Sequence, residues 1–401
     1  MPLHVPPVPK NLRVVVFIQE NKTTDFYFPS LAAWGADVLD TGPLLSAPPD
    51  HDQPHDRSAW VHFRMGDYPA LAAQLDNDRV IPYYSWLAKN FTFCDHHFGL
   101  GTNSTPGHML AVGGQTPTLK NPSFGPGGTT WDLPSIFMHA QRAGVTWAAF
   151  PDVNHYPVQY YTELNTPAAL KNIHATSSDF ITLAKSGQLP QLCYVWAPDG
   201  ASEHPPSGAP DPQYVAKGQA AVWSRVDAVV QAGEWANTVF ILTWDDWGGY
   251  ADHVVTPDIE RVPDALHPAG FQVIGGSRIP LLMFGGGVQQ GVDNHWHSHA
   301  SIPKTIIDLF GLPAFGVPRV DQAPSLASRV DSTLDRPAPP PLGSAVTQPA
   351  APIPRPQPVA PPPWVGALGQ AMPALVANGG KTLPPPHDGV VQPKPPPTPK
   401  V

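Results

Sequence analysis

Short apolar runs rich in β-branched residues recur along the first 336 positions, separated by stretches of helical period. Arg13–Ile18, Gly144–Phe150, Leu192–Trp196, Thr238–Thr243 and Ile279–Phe284 are mostly apolar on both faces, the pattern of strands buried in a parallel sheet. Leu133–Ala143, Tyr214–Ala232 and Ile302–Phe310 carry the helical period, the second opened by Asp211-Pro212 as cap and first turn. Strand–helix alternation with few hairpin signals predicts an α/β fold whose mainly parallel central sheet is flanked by helices. The pattern stops after Arg336, where about a third of the residues become proline. Proline fixes φ and removes backbone donors, so this stretch is expected to form neither helix nor sheet. The predicted organisation is an N-terminal extension over 1–11, a folded catalytic unit over 12–336 and a Pro-rich tail, extended or disordered, over 337–401. Within that tail Trp364–Val376 is an apolar island.

Composition narrows the class. Charged residues are 14% of the 401 and the formal net charge is −9, so the basic face of a nucleic-acid binder is not expected. No apolar run approaches the roughly 18 residues of a membrane helix. Cys94 and Cys193 are too few for a disulfide framework or a Cys-rich zinc site, and on strand-like segments they read as buried thiols. Proline breaks the opening residues where a secretory leader needs a continuous apolar stretch, so no export signal is expected in this chain. Oligomeric state leaves no trace in these numbers.

Chemistry is expected where the chain leaves the carboxyl ends of strands. The first run is followed by Gln19-Glu20-Asn21, and Thr238–Thr243 by Trp244-Asp245-Asp246, then Gly248-Gly249 and Asp252-His253. Carboxylates against a buried strand end repel one another unless a cation or a proton intervenes. Glu20, Asn21, Asp245 and Asp246 offer oxygens suited to one divalent metal ion of unspecified identity, with helix capping as the competing explanation. Seventeen histidines supply a second signal, several in polar or Pro/Gly contexts: His55, His155, His204, His253 and the run His295, His297, His299, which is expected to line the same mouth. The third is the hydroxyl-rich turn Gly101–His108, either a cap for a helix starting near Pro106 or a nucleophile at a helix start where phosphate is favoured. Asp252 reads as a brace for the bend at the two glycines or as an orienter of a ligand. Trp60, Trp147, Trp196, Trp244 and Trp247 read mostly as core, with a subset able to cage a choline head group.

In this order the segments resemble the bacterial phosphoesterase family that includes phospholipases C and acid phosphatases, a branch of the alkaline-phosphatase-like fold. Glu20–Asp25 matches its EN…D opening, His51–Trp60 its histidine-aspartate-tryptophan region, and Ser104–His108 its nucleophile turn. Trp147 to Tyr160, Gly187–Pro190 with His204-Pro205, Asp245–Val254, Gly276–Pro280 and His299-Ala300-Ser301 follow in family order, covering residues 12–315. The resemblance implies that Glu20, Asn21, Asp245 and Asp246 hold one divalent metal ion and that Ser104 is the nucleophile. It further implies that His55, His155 and His204 surround the phosphoryl group. His108, Asp252, His253 and His299 are further site or supporting candidates. Asp246 replaces the family's Glu, Gly107 its Asn and Met109 its aromatic residue, and Thr102 and Thr105 are alternative hydroxyls if the register shifts. The implied activity is metal-dependent hydrolysis of a small phosphate ester or a phospholipid head group through a phosphoserine. The alternatives are a phosphotransferase or a catalytically degenerate binding or surface protein. The family implies a secreted or periplasmic setting, whereas the missing leader leaves a cytoplasmic one open.

Overall fold

The run RVVVFIQ forms β1 (Arg13–Gln19), buried at every residue after Arg13. The remaining strands are β2 (Thr92–Cys94), β3 (His97–Leu100), β4 (Trp147–Phe150), β5 (Leu192–Trp196), β6 (Thr238–Trp244), β7 (Glu260–Val262), β8 (Phe271–Arg278), β9 (Leu281–Gly285), β10 (Gly291–Asp293) and β11 (His297–Ser298). The computed structural model describes residues 11–343 except 123–128, 152–154, 199, 207, 255, 257–259 and 263–270, with the backbone alone at 262, 271–274, 377–378 and 381–382. Residues 1–10 and the island Trp364–Val376 lie outside the described residues.

Seven strands form the main sheet in the order β10-β2-β9-β6-β1-β5-β4. β6, β1, β5 and β4 run parallel to one another, β10 parallel to β2, and β9 antiparallel to both β6 and β2. This is the α/β class with a mainly parallel central sheet. A smaller sheet has the order β11-β3-β8-β7. Helices cover both faces of the main sheet. Val16 lies opposite Tyr194 and Phe17 opposite Val195, and consecutive strand residues point to opposite faces. Tyr194 donates through its hydroxyl to Ala111 O (2.9 Å), in the helix Ser104–Gly113. Phe17 packs on Phe180, in the helix Asp179–Lys185, with ring centroids 6.3 Å apart. Two covered faces explain why the parallel strands read as continuous apolar runs rather than alternating ones.

Local details differ from the sequence reading in three places. The long helix Tyr214–Gln231 is preceded by Gln213 at the cap position, and Asp211 acts one step earlier by accepting from Gln213 N (3.0 Å). The helix at the hydroxyl turn begins at Ser104 rather than near Pro106, with Asn103 before it. In the tail, Ala377–Asn378 pairs antiparallel with Lys381–Thr382, a correction to the expectation that no sheet forms there. That pairing falls in the proline-free stretch 374–383, where the stated obstacle to sheet is missing. Cys94 and Cys193 are buried free thiols. No described helix is long and apolar enough to cross a membrane.

Candidate active site

β1 and β6 lie side by side in register to their last residues, Gln19 opposite Trp244, so Glu20-Asn21 and Asp245-Asp246 emerge together. Asp245 N donates to Gln19 O (3.0 Å), and Asn21 N returns a bond to Asp245 Oδ1 (2.8 Å). The helix Ser104–Gly113 points its first turn at this junction. Ser104 Oγ donates to Asp246 Oδ2 (3.1 Å) and lies 3.5 Å from Asn21 Oδ1. A Cβ placed on Gly107 would stand 2.2 Å from Asp245 O, so the departure from Asn at this position has a steric cause. Glycine lets the helix seat directly on the strand-end backbone. One turn in, His108 Nε2 lies 3.2 Å from Glu20 Oε1 and 3.6 Å from Asp245 Oδ2.

The floor of this site is buried and acidic. Asn21, Asp245, Asp246 and His108 are fully buried and Ser104 is 6% exposed. Burial, then the charge of Glu20, pushes Asp245 up to about 6, and burial with the charge of Asp245 raises Asp246. Glu20 goes the other way: burial would raise it, but the hydrogen bond and charge of His108 prevail and hold it at about 2. Burial opposes a proton on His108, and the Glu20 hydrogen bond and the Asp245 charge outweigh that and raise it. Trp196 Nε1 donates to His108 Nδ1 (3.2 Å). An indole only donates, so in the neutral ring Nδ1 carries the lone pair and the proton sits on Nε2, aimed at the two carboxylates.

Two half-buried histidines form the mouth. His55 Nδ1 donates to Gln53 O (2.6 Å) and His204 Nδ1 to Pro205 O (2.7 Å), leaving Nε2 as the working nitrogen of each. Both Nε2 atoms meet one end of the Asn21 carboxamide, at 3.1 and 3.2 Å, while its other end lies 3.0 Å from Asp245 Oδ1 and 3.2 Å from Asp246 Oδ1. With the amide nitrogen on the histidines, it donates to His55 Nε2 and faces His204 Nε2, and Asn21 Oδ1 joins two carboxylate oxygens with no hydrogen between them. Converging acceptors of this kind fit a hard divalent cation. Turned over, the amide instead donates to the carboxylates and accepts from two protonated imidazoles.

Sequence reading missed the support beneath. Glu203 is a fully buried acid one residue before His204, and Lys22 a fully buried ammonium one residue after Asn21. Both meet their partners only in the folded chain, and no local motif marks either. Lys22 Nζ donates to Glu203 O (2.6 Å) and Glu20 O (3.0 Å), and burial draws its pKa down to about 8. A backbone signal coincides: among the described residues, Asn21, His155 and Glu203 are the non-glycine residues with positive φ, at 63°, 59° and 71°. Such conformations cost of order 1–3 kcal/mol each and gather at functional sites.

The other candidates fall in different places. His155 makes no hydrogen bond among the described residues; its neighbour Tyr156 shares one with Thr105 Oγ1 (2.9 Å). Thr105 is thereby engaged, and Thr102 Oγ1 donates to Leu119 O, so Ser104 is the hydroxyl of this turn that faces the carboxylates. His299 lies under the site, fully buried, its Nε2 donating to Trp244 O (2.8 Å) and its pKa lowered by burial to about 4. Asp252 and His253 sit in a separate cluster around Arg278, which donates to Asp252 Oδ1 (2.8 Å) and Asp25 Oδ1 (3.0 Å). His295 and His297 do not line the mouth: both bond Asp293, the last residue of β10 at the far edge of the sheet. The five tryptophans are at most 3% exposed, so none offers a face to a choline cage.

Residues 44–313 match the model of the phosphoesterase family. Relatives include non-specific phospholipase C3 of Arabidopsis thaliana, 25% identical over 282 residues (64% of this chain, 52% of that protein). Another is the non-hemolytic phospholipase C of Burkholderia pseudomallei, 25% identical over 369 residues (67% and 51%). The chain thus spans about half the length of the curated relatives it matches. Among solved structures, a protein in the alkaline phosphatase superfamily from Vibrio parahaemolyticus superposes with a TM-score of 0.44 at 14% identity, covering 78% of this chain and 69% of that one.

Proposed function

The chain belongs to the phosphoesterase family, and from that premise we propose that it is a phosphoric ester hydrolase in which Ser104 is the nucleophile. The observation that carries this reading is the Ser104 hydroxyl at the first turn of a ten-residue helix, 3.1 Å from Asp246 and beside three acids on two neighbouring strand ends. Helix-terminal N–H groups favour an incoming phosphoryl group. Glu20, Asn21, Asp245 and Asp246 would hold one divalent cation, which when bound offsets the carboxylate charge and polarises the reacting oxygens.

The residues of the chain account for the protons. Ser104 Oγ forms a bond to phosphorus as its proton passes to Asp246 Oδ2, a carboxylate made more basic by burial and by Asp245. The bond from phosphorus to the ester oxygen breaks, and the departing oxygen takes a proton from Nε2 of His204 or His55, whichever enters the cycle as imidazolium with its Nε2 released from the Asn21 amide. Their Nδ1 atoms are occupied by backbone carbonyls, which orients each Nε2 toward the site. His155, outside the polar network, is given no proton to move. Water then attacks the phosphoserine, yields its proton to the neutral imidazole, and Ser104 leaves with the proton held by Asp246.

The relatives' names favour phosphodiesters of phospholipid type as substrates, and phosphate monoesters are the other outcome of the same assay. Purified protein supplied with divalent cation is expected to hydrolyse p-nitrophenylphosphorylcholine, p-nitrophenyl phosphate, or both. Ser104→Ala is expected to cost of order 10⁴–10⁶ in kcat, as nucleophile removal does elsewhere, with Thr105→Ala close to wild type. Near-normal turnover by Ser104→Ala removes Ser104 from the mechanism.

A further inference from the structure

We propose that Glu203 is the positioning residue of His204, fixing the imidazole that serves the leaving oxygen; the proposal rests on the function given above. Outside Asn21 (3.2 Å), Asp52 Oδ2 at 4.0 Å and the edge of the His55 ring, the His204 side chain has only local ties. It is half-buried, its Nδ1 bonds the adjacent Pro205 carbonyl and its backbone N meets Ser202 Oγ (3.3 Å), both within two residues. Those contacts find the ring only if the backbone delivers it to them.

That backbone is pinned at Glu203 from every side. The carboxylate accepts four hydrogen bonds: Oε1 from Gln19 Nε2 (3.1 Å) and Tyr84 Oη (2.7 Å), Oε2 from Tyr27 Oη (2.7 Å) and Trp244 Nε1 (2.9 Å). Gln19 and Trp244 are the last residues of β1 and β6, so Glu203 is bonded to the two strand ends that carry the acids. Its carbonyl accepts from Lys22, which also holds the Glu20 carbonyl, and Glu20 N donates to Ser202 O (2.8 Å). The helix Tyr214–Gln231 leaves room for it: a Cβ on Gly218 would stand 2.1 Å from Glu203 Cγ. A buried carboxylate is tolerated only when its lone pairs are filled, and here they are filled by donors from both halves of the site. The left-handed φ of 71°, unfavourable for glutamate, sets the direction in which the chain runs on to His204.

A double-mutant cycle on the hydrolysis of p-nitrophenylphosphorylcholine or p-nitrophenyl phosphate, whichever the protein cleaves, tests this. Glu203→Ala is expected to lower kcat about 10–100-fold, the range for a residue that orients a working ligand or base, with KM changed less than about threefold. In the His204→Ala background the same substitution is expected to cost nothing further, because residues acting as a unit are non-additive. Glu203→Gln, whose oxygen can take Tyr27 and Trp244 while its nitrogen meets Tyr84 and a turned Gln19 amide, is expected to recover most of kcat. If Glu203→Ala does not fold, Tyr27→Phe removes one of the four donors and is expected to lower kcat a few-fold with His204 present and not at all without it. Multiplying losses in the double variant, or a Glu203→Ala enzyme with wild-type kcat, overturns the proposal. A wild-type protein without hydrolysis, or a His204→Ala enzyme as fast as wild type, overturns the catalytic reading first and this one with it.

Discussion

The same two chain segments, 20–25 and 245–253, build two acid clusters with opposite characters. In the first, Glu20, Asp245 and Asp246 converge with Asn21 at the strand ends, and Lys22 turns its ammonium to backbone carbonyls instead of the carboxylates. In the second, Asp25 and Asp252 share the fully buried Arg278, and His253 Nδ1 bonds Asp25 Oδ2 (2.8 Å). The second cluster is neutralised from within and fixes the loop after β6 to the end of β8. In the first, His108 holds Glu20 low, but Asp245 and Asp246 are raised by burial and by neighbouring carboxylates, an arrangement that stores repulsion until something positive or reactive enters. Similar residue types a few positions apart thus serve stability in one place and chemistry in the other, and the presence of an arginine decides which.

Removing that arginine gives the largest effect on the fold. Arg278→Met leaves two buried carboxylates without their cation and is expected to cost about 3–5 kcal/mol of stability, read as a lowered denaturation midpoint. The fraction that remains folded should keep a wild-type kcat; a fall in kcat with unchanged stability would mean that the second cluster belongs to the chemistry.

Asp245→Asn probes the first cluster and should act in the reverse sense. The folded pKa of Asp245 lies near 6, above its ordinary 3.8, so in chelator the folded state holds a proton that the unfolded state has already lost. Wild-type stability therefore falls as pH rises through about 4 to 6, by up to roughly 3 kcal/mol at 1.36 kcal/mol per pKa unit. The Asn variant is expected to escape that loss, melting higher than wild type at pH 7 in chelator. With added divalent cation the order should invert, since binding stabilises wild type by about 2.7 kcal/mol at a hundredfold excess over Kd. A wild-type melting curve indifferent to both pH and cation would contradict the unneutralised character of this cluster.

His253 gives the smallest effect. Its hydrogen bond to Asp25 raises its pKa, so its contribution is full below about 6.5 and is lost as pH rises through the higher folded value. Being partly exposed, the pair is worth less than about 1 kcal/mol. His253→Gln should flatten the stability profile above pH 6.5, and an unchanged slope there would place the titration elsewhere.

Much of this contrast was legible before folding, and the remainder was not, for identifiable reasons. Glu20-Asn21 and Asp245-Asp246 follow apolar runs at the ends of what became β1 and β6, so strand pattern and site were read together. The hydroxyl-rich turn stood out as a helix start, and the family resemblance singled out Ser104 within it. Arg278 lay inside the matched stretch Gly276–Pro280, but a single arginine after two glycines and a serine says nothing of the acids it will meet 26 and 253 residues away. Glu203 and Lys22 were hidden for the same reason, their partners being Tyr27, Tyr84, Trp244 and two carbonyls from separate elements. His295 and His297 misled because proximity to His299 in the chain suggested a shared mouth, whereas the chain turns between β10 and the buried His299 and leaves them on Asp293.

The central claim is that Ser104, among the hydroxyls of its turn, accepts the phosphoryl group. Rapid acid quenching of the enzyme with excess substrate, followed by peptide mass spectrometry, tests it most directly. The account predicts a phosphoryl group, with whatever ester it retains, on Ser104 of the wild type and none in Ser104→Ala. Modification of Thr102, Thr105 or a histidine, with Ser104 unmodified, would contradict it.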